Sequence, residues 1–94
     1  MRVEWLRAAI ENLNAVAEYI SRDNPAAAVR TVAAIVDAVE NLKRFPALGR
    51  PGRVSGTREL VVPGTPYIVP YRVRGDAVEL LRVFHPARKW PSQF

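Results

Sequence analysis

The sequence predicts an α+β fold with the element order β-α-α-β-β-β, in which an antiparallel sheet packs against a helical hairpin. Two observations lead to this prediction. The first half of the chain repeats apolar residues at intervals of three and four, which is the period of an amphipathic helix. The second half contains three short β-type runs separated by turn residues, which is typical of consecutive hairpins. A chain of 94 residues is expected to form a single domain over residues 1–94.

The chain is expected to begin with a short strand followed by the first helix. Val3 and Trp5 fall on one face of an alternating segment, which predicts the strand. Residues 6–22 are then predicted to be helical. The apolar residues of this helix, spaced three and four apart, are Ile10, Leu13, Ala17 and Ile20. They are expected to face the core.

The second helix is predicted over residues 25–44. Asn24 is a favourable N-cap, and Pro25 suits the first helical position because an N–H there has no intrahelical partner to lose. Pro46 prevents the helix from continuing. The apolar face of this helix carries Ala28, Val32, Ile35, Val39 and Leu42. Two antiparallel helices joined by a tight turn are therefore expected to cover the sheet.

Three strands are predicted in the second half of the chain, over residues 57–62, 67–73 and 77–84. A loop containing glycine and proline precedes them at residues 46–56, and turn residues at 63–66 and 75–76 separate them. Pro70 cannot donate to a ladder, so it predicts a local distortion of the middle strand. The sheet residues expected in the core are Val69, Tyr71, Leu81 and Val83.

The net charge of +5 belongs entirely to the second half of the chain. Residues 1–44 contain six basic and six acidic side chains, whereas residues 45–94 contain eight and three. This asymmetry favours a scaffold that presents a cationic surface to an acidic partner. The arginines concerned are Arg50, Arg53, Arg58, Arg72, Arg74, Arg82 and Arg88. Guanidinium groups bind phosphate and carboxylate through paired hydrogen bonds, and the alternative is a solvated face with internal ion pairs.

Composition excludes several classes of protein. The chain has no cysteine and one histidine, so neither a disulfide framework nor a zinc site is expected. No apolar run approaches the roughly 18 residues that would cross a membrane, and the first residues lack the apolar core of a signal peptide. A cytoplasmic protein without membrane contact is expected.

His85 and Trp90 each have two interpretations. The only histidine, His85, is a candidate acid or base, and the alternative is a structural hydrogen-bonding role at the end of a strand. Trp90 follows Arg88 and Lys89, which makes it a candidate for stacking on a base or a partner side chain. The alternative for Trp90 is closure of the core.

The order and spacing of these pieces resemble the RelE/ParE toxins of bacterial type II toxin–antitoxin modules. The segments that carry the resemblance are Asn24-Pro25, Phe45-Pro46 with Gly49-Arg50, and residues 56–60, 67–72 and 85–91. The resemblance implies a small α+β toxin that blocks bacterial growth until a cognate antitoxin covers it. It also implies a hetero-oligomeric toxin–antitoxin complex and no cofactor. We expect the antitoxin to be acidic and partly disordered when free.

The resemblance implies two targets, one for each branch of the family. RelE-like members cut messenger RNA on the ribosome without a metal, and ParE-like members poison DNA gyrase. RNA-cleaving relatives commonly carry an arginine after the tyrosine that opens the middle strand, where this chain has Ile68. Trp90 and Phe94 also stand in place of their tyrosine or histidine-tyrosine ending. These departures favour the ParE-like branch, with the RelE-like branch as the alternative.

Each interpretation assigns its own residues. If the chain is RelE-like, the candidate catalytic residues are Arg58, Arg82 and His85. The candidates for binding the target or the antitoxin are Arg50, Arg53, Arg58, Arg72, Arg82, Arg88, Lys89 and Trp90. No metal ligands are expected. A general nucleic-acid-binding module is the alternative from another class, and it predicts steeply salt-dependent binding to arbitrary DNA or RNA.

Overall fold

The computed structural model describes residues 1–87 as a five-stranded sheet with two helices packed on one face. The elements are β1 (Arg2–Trp5), α1 (Arg7–Ser21), α2 (Pro25–Glu40), a 3-10 turn (Asn41–Lys43), β2 (Arg50–Pro51), β3 (Arg58–Val61), β4 (Ile68–Arg74) and β5 (Ala77–Leu80). The strands lie in the order β1-β5-β4-β3-β2. This architecture confirms the predicted α+β class. Neither helix combines the length and hydropathy needed to cross a membrane.

The turn between the helices has the predicted cap. Asn24 Oδ1 accepts a hydrogen bond from the Ala27 N–H at 3.0 Å, and Pro25 occupies the first helical position. The end of α2 differs from the prediction, because the α-helix stops at Glu40 rather than near residue 44. The N–H of Arg44 donates to the carbonyl of Asn41, three residues earlier, at 3.2 Å. The chain therefore tightens into a 3-10 turn before it reaches the proline that excludes a further helical turn.

The sheet is mixed rather than purely antiparallel. Strands β3, β4 and β5 pair antiparallel as predicted, but β1 pairs parallel with β5 at one edge, with Arg2 opposite Ala77. At the other edge β2 pairs with β3, with Arg50 opposite Glu59. The sequence predicts strand β1 but not the strand with which it pairs. Strand β2 lies within residues 46–56, which the sequence predicts to be a loop. Both additions are edge strands: β1 pairs with a distant part of the chain, whereas β2 pairs with β3, the next strand along.

Strand β5 ends at Leu80 rather than at the predicted Phe84, because the pairing shifts by one residue next to Pro70. Leu81 donates its N–H to the Pro70 carbonyl at 2.9 Å, and proline has no N–H to return. The next pair is Ile68 with Phe84, so an extra residue lies on the β5 side, as in a β-bulge. The distortion predicted at Pro70 is therefore confirmed.

The core lies between the helices and one face of the sheet, which we call the helix-side face. The predicted core residues found there include Ile35, Val39, Leu42, Val69, Tyr71 and Val83. Ile10 was predicted to join them but is 45% exposed, and its neighbour Ala9 is fully buried instead. Leu81 is buried but lies outside this cluster. Its alignment with Pro70 places it on the opposite face of the sheet, because side chains alternate along a strand.

Candidate functional site

A groove of about 570 Å³ runs between α2 and the β3 edge of the sheet. The small side chains of Ala34 and Ala38 form its helical wall, and Leu60 and Val61 form its sheet wall. The loop that connects the 3-10 turn to β2 closes one end through Leu48. An apolar groove whose wall is one flank of a helix is suited to binding a segment of another protein.

Tyr71 anchors that loop from inside the core. Its hydroxyl accepts a hydrogen bond from the Gly49 N–H at 2.8 Å and donates one to the Pro46 carbonyl at 2.7 Å. The side chain is fully buried, and burial raises the pKa of the phenol. The hydrogen bond from Gly49 and the charge of Arg58 act in the opposite direction. A phenol that stays neutral keeps the proton that it donates to the loop.

Arg58 binds the same loop from β3. It pairs with Tyr71 across the strands, so it lies on the helix-side face, and its guanidinium donates to the Gly49 carbonyl at 2.8 Å. The carbonyl of Ala47 lies 3.5 Å from the same nitrogen. This arginine, predicted to bind phosphate, therefore holds backbone carbonyls in the structure.

Glu59 organises the arginines that follow the loop. Its side chain is only 3% exposed and lies on the face of the sheet away from the helices. Arg50 approaches one carboxylate oxygen at 3.1 Å, and the Arg53 backbone N–H donates to the other at 2.9 Å. The Arg53 guanidinium lies at 3.9 Å. A buried carboxylate needs such partners, and both arginines remain half-exposed around it.

A second group of charges lies on the same outer face, between β4 and β5. Arg72 Nε lies 2.7 Å from Glu79 Oε1, and Arg74 Nε lies 3.8 Å from it. The hydrogen bond from Arg72 is the largest cause that lowers the pKa of Glu79. These two arginines therefore share one carboxylate, and the cationic character of this face is partly neutralised from within.

Arg82 and His85 lie at the other end of β4. The Arg82 guanidinium is 5.9 Å from the centre of the Phe84 ring, a cation–π distance. His85 packs edge-on against Tyr67 with ring centres 5.8 Å apart, and its Nδ1 accepts the Ala87 N–H at 3.1 Å. Within residues 1–87, no three acidic or histidine side chains come close enough to hold a metal ion.

Two of the three candidate catalytic residues, Arg58 and His85, therefore lie at different positions along the sheet. Arg58 is aligned with Tyr71, whereas His85 stacks on Tyr67, four residues and about 14 Å away along the strand. Among the predicted binding residues, Arg88, Lys89 and Trp90 lie outside the described residues.

Sequence reasoning placed Tyr71 in the core but missed its role as the loop anchor. It also missed the exposed apolar residues Leu48 and Val61 of the groove and Phe45 of the loop. The available signal was a tyrosine at a predicted core position, because a buried hydroxyl needs a partner.

The sequence of this chain is similar to those of known toxins. The family model described as ParE toxin of type II toxin-antitoxin system, parDE, matches residues 3–90. The putative toxin Y4kP of Sinorhizobium fredii is 48% identical over 97% of this chain and 94% of its own length. Toxin RelE2 of Caulobacter vibrioides is 32% identical over 93% of this chain and 97% of its own length.

Two solved structures from toxin–antitoxin systems contain a chain with a similar fold. A chain of the chromosomal ParDE system from P. aeruginosa superposes with a TM-score of 0.81 at 32% identity, covering 90% of this chain and 95% of that one. A chain of the RelBE2 toxin–antitoxin complex from Mycobacterium tuberculosis superposes with a TM-score of 0.63 at 28% identity, covering 89% and 95%.

Proposed function

The chain belongs to the ParE toxin family of type II toxin–antitoxin systems, and we propose that it arrests bacterial growth by binding DNA gyrase. Its identity as a toxin of such a module rests on the family match over nearly the whole chain. A toxin of this kind has an antitoxin as its partner, in keeping with the complexes among its structural neighbours. The proposal concerns the target and the mechanism.

The observation that carries the proposal is the separation of Arg58 from His85. Metal-free cleavage of RNA requires a base for the 2′-hydroxyl, cationic stabilisation of the phosphate, and an acid for the leaving oxygen, all around one phosphate. Arg58 is bound to the Gly49 carbonyl and pairs with Tyr71, whereas His85 packs against Tyr67, four residues before Tyr71. A binding mechanism requires only a complementary surface, so this arrangement favours it.

We assign target binding to the outer face of the sheet. The exposed cations there are Arg50, Arg53 and Arg74, whose side chains are each more than half-exposed although they contact Glu59 or Glu79. The guanidinium groups of Arg50 and Arg74 are exposed enough to bind carboxylates of a partner. Together with the net charge of +5, they suit association with an acidic protein surface.

RelE-like cleavage of messenger RNA is the second candidate. It is favoured by the similarity to toxin RelE2 and by the fold shared with the RelBE2 complex. Arg82 and His85 are close in sequence at one end of β4, and they would supply the cation and the proton-transfer group.

Inducible expression in bacteria decides between the two targets. We expect growth arrest with stabilised gyrase cleavage complexes, inhibition of purified gyrase, and equal toxicity of the His85→Ala and Arg82→Ala variants. Co-expression of the neighbouring reading frame should relieve the arrest if it encodes the antitoxin. Codon-phased cleavage of translated messages, abolished by His85→Ala, would instead establish the RelE-like mechanism.

A further inference from the structure

The loop over residues 45–49 is held rigidly although it contains no helix or strand. We propose that this docking loop is a preorganised binding surface for an acidic, apolar segment of the antitoxin, and that Tyr71 and Arg58 are the residues that position it. The inference deepens the proposed toxin–antitoxin function and rests on it.

Two side chains of the sheet fix the backbone of the docking loop. Tyr71 bonds the Pro46 carbonyl and the Gly49 N–H, and Arg58 bonds the Gly49 carbonyl. Gly49 is packed so tightly that a Cβ there would lie 2.6 Å from the Tyr71 ring and 2.9 Å from the Glu59 carbonyl. The buried Tyr71 and the half-buried Arg58 satisfy both polar groups of Gly49, so the loop has little freedom to rearrange.

The fixed loop presents apolar side chains to solvent. Phe45 is 55% exposed and Leu48 is 54% exposed. Leu48 also lines the groove, as does Val61, which is 49% exposed. Exposing apolar side chains to water is unfavourable. Exposed apolar residues that border a groove therefore indicate an interaction site.

Charge around the docking loop indicates the chemistry of the occupant. Arg44 lies over the Phe45 ring at 5.5 Å, and the half-exposed Arg50 lines the groove beside Leu48. Asp37 is the exposed acid of the helical wall, and the buried Glu59, which also lines the groove, contacts Arg50 at 3.1 Å. A segment with apolar residues for Leu48 and Val61 and carboxylates for Arg44 and Arg50 fits this surface. A second copy of this chain is less suited, because it would bring like charges together.

Fixing the docking loop through Tyr71 and Arg58 is expected to affect binding as well as stability. A loop that is already ordered in the free toxin does not lose conformational entropy when the partner binds, so affinity is higher than for a mobile loop. Removing the Tyr71 hydroxyl keeps the packed ring but frees the loop backbone. Removing this hydroxyl is therefore expected to lower both the local order of the docking loop and its affinity for the partner.

The docking surface is tested by matched charge insertions. Leu48→Asp and Val29→Asp both place a carboxylate at an exposed apolar position, but Val29 lies on α2 outside the groove lining. The probe is the purified short acidic protein encoded beside the gene, titrated calorimetrically against each folded variant. We expect Leu48→Asp to weaken binding at least about tenfold and Val29→Asp to change it by less than about twofold. Equal affinities, or the reverse order, would overturn the docking surface.

The positioning role is tested with Tyr71→Phe and the control Tyr19→Phe, whose hydroxyl is exposed on α1. Tyr71→Phe should accelerate hydrogen exchange of the Gly49 amide more than that of core amides, and weaken binding by about threefold to tenfold. Tyr19→Phe should change neither. Unchanged exchange at Gly49, or faster exchange with wild-type affinity, would overturn the role of Tyr71.

The outcome for the wild-type chain separates this inference from the function on which it rests. If the wild-type toxin fails to bind the neighbouring gene product, the proposed partnership is wrong and the docking loop is wrong with it. If the wild type binds and Leu48→Asp binds equally well, the partnership stands and only the docking loop is wrong. Gel filtration of the free toxin distinguishes a second copy as occupant, since a dimer that Leu48→Asp dissolves would overturn the antitoxin assignment.

Discussion

Arg72 and Glu79 face each other across β4 and β5, with Arg72 Nε 2.7 Å from Glu79 Oε1. This hydrogen bond, assisted by the charges of Arg72 and Arg74, holds the pKa of Glu79 below its ordinary value of 4.5. A carboxylate whose pKa is lowered in the folded state stabilises the protein when it is ionised. Its contribution is complete above the pKa of the unfolded chain and is lost as the pH falls through the lower folded pKa.

Replacing Glu79 with glutamine should therefore change how stability depends on pH. We expect Glu79→Gln to be less stable than the wild type near neutral pH, with the difference shrinking as the pH falls below about 4. Urea unfolding across this range measures it. Glu18→Gln is the control, because Glu18 forms only an exposed contact with Arg22 at 3.6 Å. A difference that stays constant with pH would contradict the assignment.

Ile35→Ala should be among the most destabilising single changes in α2. Ile35 is fully buried between the helices and the sheet, so alanine removes apolar contacts and leaves a cavity. The expected loss in the free energy of unfolding is about 2–5 kcal/mol. Val29→Ala on the same helix, at a position 71% exposed, should change it by less than about 0.5 kcal/mol. Similar denaturation midpoints for the two variants would show that the apolar face is misassigned.

Asn12→Ala tests the bulge after β5. Asn12 Oδ1 accepts the Val83 N–H at 3.1 Å, and Val83 lies in the core cluster. Alanine would leave this N–H without its partner, at an expected cost of about 1–3 kcal/mol. Asn14→Ala, at an exposed position on the same helix, should be nearly neutral. Thermal unfolding compares the two, and equal melting temperatures would exclude a structural role for Asn12.

Glu59→Gln tests the buried carboxylate at the sheet edge. The substitution keeps the shape of the side chain but removes the charge that faces Arg50 and the Arg53 N–H. Hydrogen bonds to a charged group contribute about 1.5–3 kcal/mol, so we expect a loss of stability in that range. Glu11→Gln, exposed on α1, is the control. Chemical denaturation that fails to separate the two variants would contradict the structural role of Glu59.

The helices were predictable because their signals are local. The cap at Asn24 and the apolar spacing of α2 lie within a few residues of each other, and the structure reproduces both. In α1 two stripes with similar spacing compete, one through Ile10 and one through Ala9. The stripe through the larger and more apolar Ile10 was predicted to face the core. In the structure, the close-packed core instead accommodates the small side chain of Ala9, which is fully buried.

The arginines of the candidate site were not predictable individually, because strand register is a non-local property. Arg58 pairs with Tyr71, which places Arg58 and Arg72 on opposite faces of the sheet. Sequence alone left that relationship open. Strand β2 escaped prediction for a simpler reason, since it has two residues, one of them Pro51, and so shows no alternation.

The parallel pairing of β1 with β5 also bears on how this toxin is made. Arg2 is translated long before its partner Ala77. The sheet is thus completed by a contact of high sequence separation, which forms late in folding. A nascent chain that stops before β5 has no strand with which β1 can pair. The five-stranded sheet therefore cannot be completed before β5 has been translated.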